Sequence, residues 1–180
     1  MTISWLKQID AYLTANHPVC RIVIADAKGS TPREAGADML IRTEQITGTI
    51  GGGRLEYEAI AIARNLMEQA ARNTKSGFIR YWQRFALGPS LGQCCGGAVM
   101  ILFEAYAPSA RDAVHNMLGA EQNIIATYHG ADNTRLPQLI SATDNRTKDG
   151  YDSAAGAYCQ SIKSQRRPLF LYGSGHVGRA

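Results

Sequence analysis

Gly48-Thr49-Ile50-Gly51-Gly52-Gly53-Arg54-Leu55-Glu56 is where this chain changes its hydrophobic period. Before it, Val19 to Ala27 is rich in Val and Ile and reads as a buried strand, and Ala37 to Arg42 reads as a strand that turns back. After it, Leu55, Ala59, Ile62, Leu66 and Ala70 recur at spacings of four, three, four and four residues, one apolar stripe of an amphipathic helix. Strands passing through three consecutive glycines into a long helix make an α/β pattern. The glycines sit where backbone N–H groups at a helix start can cradle an anion. They are equally suited to a plain tight turn, because glycine enters backbone regions closed to other residues.

Outward from this point, Ser4 can cap a helix whose apolar positions are Trp5, Ile9, Tyr12 and Leu13, ending before His17-Pro18. Lys28 to Gly36 is a loop by its Gly and Pro content. Phe78 to Phe85 and Ala98 to Tyr106 read as a hairpin-like strand pair joined by a long connection. Ser109 to Gly119 is a short helix, Asn123 to Tyr128 and Gln138 to Ala142 are weaker strands, and Ala154 to Lys163 is read as helical. His129 to Pro137 and Thr143 to Ser153 read as loops. The expected fold class is α/β, a mixed β-sheet flanked by helices over residues 1–165. Residues 166–180 are expected to be a linker end and the first strand and turn of an incomplete Rossmann-like domain. There Pro168 to Tyr172 is apolar and Gly173-Ser174-Gly175-His176-Val177-Gly178 fits the G-x-G-x-x-G turn. A dinucleotide fold needs roughly 30 residues for its first unit alone, so dinucleotide binding through this motif is not expected here.

With 180 residues and 45% hydrophobic content, the chain can bury a core without disulfides. Four cysteines, two of them adjacent, make a poor secreted framework and point to a reducing cytoplasm. No uncharged apolar stretch approaches the ~18 residues of a spanning helix, and the N-terminus lacks a basic-then-apolar leader, so no membrane role is expected. The net charge is +4. The five basic residues between Arg64 and Arg84 have no matching row of aromatics, which argues against nucleic acid.

Leu87-Gly88-Pro89-Ser90-Leu91-Gly92-Gln93-Cys94-Cys95-Gly96-Gly97 places two thiols side by side among glycines that keep other side chains away. The pair has three readings: filler of a tight turn, a vicinal disulfide switch across a strained ring, or soft ligands. Zinc is disfavoured, because there is no C-x-x-C pair and His17, His115, His129 and His176 lie at no ligand-like spacing. Ser30 and Thr31 have no His-Asp partners at recognisable spacing, and His176 stands on a turn without its own domain. No complete catalytic constellation is present, so an enzyme is not expected.

Four segments together resemble the XdhC/CoxI family, the xanthine dehydrogenase accessory proteins. Gly29-Ser30-Thr31-Pro32-Arg33-Glu34-Ala35-Gly36-Ala37-Asp38-Met39 is similar to the family's first loop, Gly48 to Glu56 to its triple-glycine element and Leu87 to Gly97 to its cysteine loop. Leu171 to Arg179 resembles the opening of its C-terminal Rossmann-like domain. The resemblance implies a non-catalytic chaperone that carries molybdenum cofactor (molybdopterin) as cargo. It implies help from a cysteine desulfurase in replacing an oxo ligand by sulfide, delivery to xanthine dehydrogenase or a related molybdenum hydroxylase, and a homodimer. For such a cargo, Cys94 and Cys95 are the candidate metal ligands, because soft thiolates suit a sulfur-rich metal. Gly51, Gly52 and Gly53 can aim N–H groups at the phosphate, with Arg33 or Arg54 adding charge, and Gln93 can bond the pterin edge. Glu34 and Glu56 are alternative partners for Arg33 and Arg54, and Asp38 and Glu56 are suited to capping, bridging or orienting a ligand. Two competing functions stay open: an NAD(P)-dependent oxidoreductase fragment, suggested by Gly173 to Gly178, and a thiol redox sensor or interaction module built on the cysteine pair.

Overall fold

β1 (Val19–Lys28) is buried over its first seven residues, because both faces of the strand are covered. The computed structural model describes residues 5–88, 96–119, 124–129, 132–141, 150–152 and 156–161. Around β1 the chain builds a five-stranded sheet in the order β3-β2-β1-β5-β4, with β2 at Asp38–Ile41, β3 at Ile46–Gly48, β4 at Phe78–Ala86 and β5 at Ala98–Tyr106. Every ladder is antiparallel. A bulge in β1 between Ile24 and Asp26 shifts its register against β5. The α/β class with helices packed on the sheet is as expected. The ladders are antiparallel where a mixed sheet was expected, because β1–β2, β2–β3 and β4–β5 join sequence neighbours directly and need no crossover.

The long helix α2 (Gly53–Arg72) runs between the edge strands β3 and β4, and so lies across one face of the sheet. Its buried residues are Leu55, Ala59, Ala63, Leu66, Met67 and Ala70. They meet Cys20, Ile22 and Ile24 of β1 and Val99, Ile101, Phe103 and Ala105 of β5. Ile62, expected in the stripe, is partly buried at its border. On the other face sit α1 (Trp5–Thr14) and α3 (Arg111–Gly119), the latter entered through a 3-10 turn at Pro108–Ala110. Leu6, Ile9 and Leu13 of α1 pack with Val19, Phe78, Tyr106 and Val114. Trp5 and Tyr12 lie at the border of that cluster, each ring covered by a guanidinium, Arg21 at 3.8 Å and Arg42 at 4.2 Å.

A second sheet, in the order β7-β6-β9-β8, comprises β6 (Ile124–His129), β7 (Gln138–Ser141), β8 (Gly150–Asp152) and β9 (Ala157–Ser161). Tyr158 of β9 packs on Val23, Ala25 and Leu102, and Tyr151 of β8 lies 5.3 Å from the Trp82 ring. Two local expectations are corrected here. Residues 157–161, read as helical, form β9, because pairing with both β6 and β8 and burial of Tyr158 override the alanine-rich local preference. Residues 150–152, read as loop, form β8 on the same ladder. The expected domain end at 166–180 lies outside the described residues, as do Gln93, Cys94 and Cys95. Among the described residues no helix is long and apolar enough to cross a membrane.

Leu55 is fully buried at the first turn of α2 and ties the glycine turn to the core. Leu55→Ala is expected to cost about 2–5 kcal/mol in chemical denaturation, the usual range for a cavity of this size.

Candidate functional site

Strand direction brings three of the sequence-singled loops to one end of the five-stranded sheet. β1 ends at Lys28 opposite Ala98, the start of β5, and Ala98 in turn faces Ala86, the end of β4. Antiparallel pairing sets the start of β2 and the end of β3 towards the same end, with Met39 opposite Gly48. The first loop, the glycine turn and both stems of the cysteine loop therefore emerge together.

Close contact between the loops explains the glycines. Leu87 N–H donates to Gly97 O at 2.8 Å and closes the base of the cysteine loop. Gly29 lies so near Gly97 that a Cβ placed on it would stand 3.1 Å from the Gly97 Cα. A Cβ on Gly97 would meet Lys28 O at 2.6 Å and run into Ser30 O. On the other side, a Cβ on Gly51, whose φ is 120°, would come within 2.7 Å of the Pro32 ring and 3.5 Å of Arg33 Cγ. The first loop is thus wedged between the glycine turn and the cysteine-loop stem, and side chains at these contacts would push the three apart.

The N–H groups of the glycine turn are in part taken up from within the chain. Glu56 Oε2 accepts from Ile50 N–H at 3.1 Å, Gly52 N–H at 3.0 Å and the Thr49 hydroxyl at 2.6 Å, while Gly51 N–H donates to Thr49 Oγ1 at 3.1 Å. Partial burial works to raise the Glu56 pKa, but the Thr49 hydroxyl and the turn amides outweigh it and hold the carboxyl below its ordinary range. Of the three expected phosphate-binding glycines, Gly52 and Gly51 serve the turn itself. Gly53, with Arg54 and Leu55, supplies the first helical N–H groups, which have no intrahelical acceptor. Arg54 pairs with Glu58 at 2.9 Å rather than with Glu56. Arg33 is half-buried beside Gly51, and among the described residues its guanidinium has no carboxylate partner.

No group of three His, Cys, Asp or Glu side chains able to hold a metal occurs among the described residues. Cys20 is a buried thiol, and burial pushes its pKa far up, so it stays protonated and inert. A groove of about 470 Å³ opens elsewhere, between α2 and β4, lined by Ile62, Asn65, Leu66, Ile79, Tyr81 and Gln83.

One buried cluster escaped the sequence reading. Arg21, Glu104 and Arg80 stand directly opposite one another on β1, β5 and β4, all essentially without solvent exposure. Asp38, singled out as a possible bridge, takes Arg21 Nε and Nη2 at 3.0 and 2.9 Å. The signal was there: Arg21, Arg80 and Glu104 each interrupt the apolar residues of the runs Val19–Lys28, Phe78–Ala86 and Ala98–Tyr106.

Two substitutions test this geometry. Gly97→Ala is expected to destabilise by about 1–3 kcal/mol, as overpacking does, because its Cβ meets backbone oxygens that cannot rotate away. Glu56→Ala is expected to lower stability by about 0.5–2 kcal/mol at neutral pH, as loss of a helix cap does. Because the folded-state pKa of Glu56 is depressed, that difference is present above the ordinary carboxylate range and fades as pH falls through the folded value. Thermal melts at pH 7 and pH 3 measure both.

Residues 12–81 match the model of the XdhC and CoxI family. That span holds the first loop and the glycine turn and stops short of the cysteine loop. The uncharacterized protein YqeB of Escherichia coli K12 is 32% identical over 97 residues, 53% of this chain and 17% of that protein. A crystal structure of a xanthine dehydrogenase from Bacillus halodurans superposes with a TM-score of 0.56 at 18% identity, over 97% of this chain and 46% of that one. The chain spans less than half the length of either relative, and the superposition speaks for the fold. Over residues 12–81, then, this chain is similar to the XdhC and CoxI family.

Proposed function

We propose that this chain is the cofactor-handling part of an accessory protein for a molybdenum hydroxylase such as xanthine dehydrogenase. In this reading it is not itself an enzyme. It works in the cytoplasm as a homodimer, receives molybdenum cofactor as cargo, holds it during sulfuration by a cysteine desulfurase and passes it on. The observation that carries the reading is the convergence of the first loop, the glycine turn and the cysteine-loop stem at one end of the sheet. Two of these three lie within the family match.

The chemistry needed follows from the cargo. A phosphate asks for N–H groups and positive charge, which Gly53, Arg54 and Leu55 at the start of α2 and Arg33 beside Gly51 supply. The sulfur-rich metal end asks for soft ligands, the role assigned to Cys94 and Cys95. Gln93, beside them in sequence, is assigned to the pterin edge. The Glu56 carboxylate holds the glycine turn in shape at the start of α2.

The test is retention of cofactor by protein handled without oxygen, read as molybdenum and pterin fluorescence after gel filtration. Wild type is expected to retain both, and a double Cys94→Ala, Cys95→Ala variant to lose most of the metal. Arg33→Ala is expected to weaken binding several-fold, the scale of one charge-assisted contact. Equal retention by all three proteins, or none by wild type, would overturn the proposal.

A further inference from the structure

Three charged side chains lie abreast on three adjacent strands, beneath the second sheet. Glu104 of β5 is flanked by Arg21 of β1 and Arg80 of β4, each directly opposite it. Arg21 is turned mainly away from it. Its Nε and Nη2 hold Asp38 of β2, and Nη2 also donates to Gln160 Oε1 of β9 at 2.5 Å, across the gap between the sheets. Trp5 of α1 covers the guanidinium. Arg80 donates through Nη2 to the Arg135 carbonyl at 2.8 Å, and its backbone N–H donates to Asn133 O, so it anchors the 132–135 segment that leads into β7. Glu104 is left with Arg21 Nη1 at 3.5 Å, and neither of its oxygens accepts a hydrogen bond from a described residue.

We propose that Arg21 is a proton-controlled clasp between the two sheets, shared between Gln160 on one side and Glu104 on the other. The geometry described is the closed one, with Arg21 committed to Asp38 and Gln160. That commitment suits a neutral Glu104, since an ionised carboxylate buried without hydrogen bonds is costly. When Glu104 loses its proton, a full negative charge arises 3.5 Å from the guanidinium and competes with the neutral amide of Gln160 for it. The second sheet then loses its charge-assisted bond to β1 and loosens.

The titratable and charged groups around Glu104 are Arg21 and Cys20 of β1, Arg80 of β4 and Asp38 of β2. Burial raises the Glu104 carboxyl to about 7, against the pull of Arg21 and Arg80. The folded value stands above the ordinary one of 4.5, so the folded state holds the extra proton between the two and its stability declines as pH rises through that window. The clasp is closed below neutrality and opens above it.

Hydrogen exchange of residues 156–161 in the full chain, corrected for intrinsic rates, tests this at pH 6 and pH 8. Wild type is expected to be about tenfold better protected at pH 6, the effect of one pH unit of linkage. Glu104→Gln, which fixes the neutral form, is expected to show equal, high protection at both. Gln160→Ala keeps the buried charges intact and is expected to show equal, low protection, so the proposal stays testable if the Glu104 variant does not fold. His115, whose ring nitrogen lies 3.2 Å from Asp10, is controlled with His115→Gln, expected to behave as wild type. A wild type with pH-independent protection, a Gln160→Ala or Glu104→Gln variant that keeps the full dependence, or its loss in His115→Gln would overturn the clasp.

Discussion

Gly97 has no side chain, and the loop end of the molecule depends on that. It lies against the Lys28 and Ser30 carbonyls and close to Gly29, at the point where β1 leaves the sheet and β5 enters it. The close approach lets the first loop lean over the stem of the cysteine loop, and Gly51 allows the same approach from the other side against Pro32. Three segments far apart in sequence thereby share one end of the fold. A β-carbon at Gly97 or Gly51 would collide with the Ser30 and Lys28 carbonyls or the Pro32 ring and push these segments apart.

Beneath the loops the sheet is covered differently on its two faces. The α2 face is apolar at its centre, from Cys20 and Ile22 to Phe103 and Ala105, and it orients the glycine turn by burying Leu55. The opposite face carries Arg21, Glu104 and Arg80 among Val23, Ala25 and Leu102. Such an arrangement is poor value as a source of stability, since paired buried charges often do no better than apolar residues of similar size. Its consequence is a junction between the sheets whose strength depends on one proton. The two faces thus divide the work: one fixes the loop end, the other joins the second sheet.

Much of this could be read from the chain, and the failures have physical causes. The period change at Gly48 to Glu56 located α2 and its stripe, because a twenty-residue amphipathic helix leaves an unmistakable pattern. The β4–β5 hairpin was equally plain. Residues 157–161 were misread, because Ala157 and its neighbours favour helix locally and only pairing with β6 and β8 makes them a strand. The turn before α2 was legible as a run of glycines, but the capture of its N–H groups by Glu56 was not, since a carboxylate four residues on looks like any first-turn acid. Arg21, Glu104 and Arg80 were each visible as a charge in an apolar run. That they meet required the strand register.

The central claim is that the three loops act as one site for one cargo. Glycine amides are well separated in a nitrogen–proton correlation spectrum, so the footprint of added molybdenum cofactor can be read directly at Gly29, Gly53, Gly96 and Gly97. Concerted shifts at all four, with Arg33 beside them and little change at Asn65 and Gln83 in the α2–β4 groove, are the expected result. Shifts confined to that groove, or to a single loop, would contradict the account.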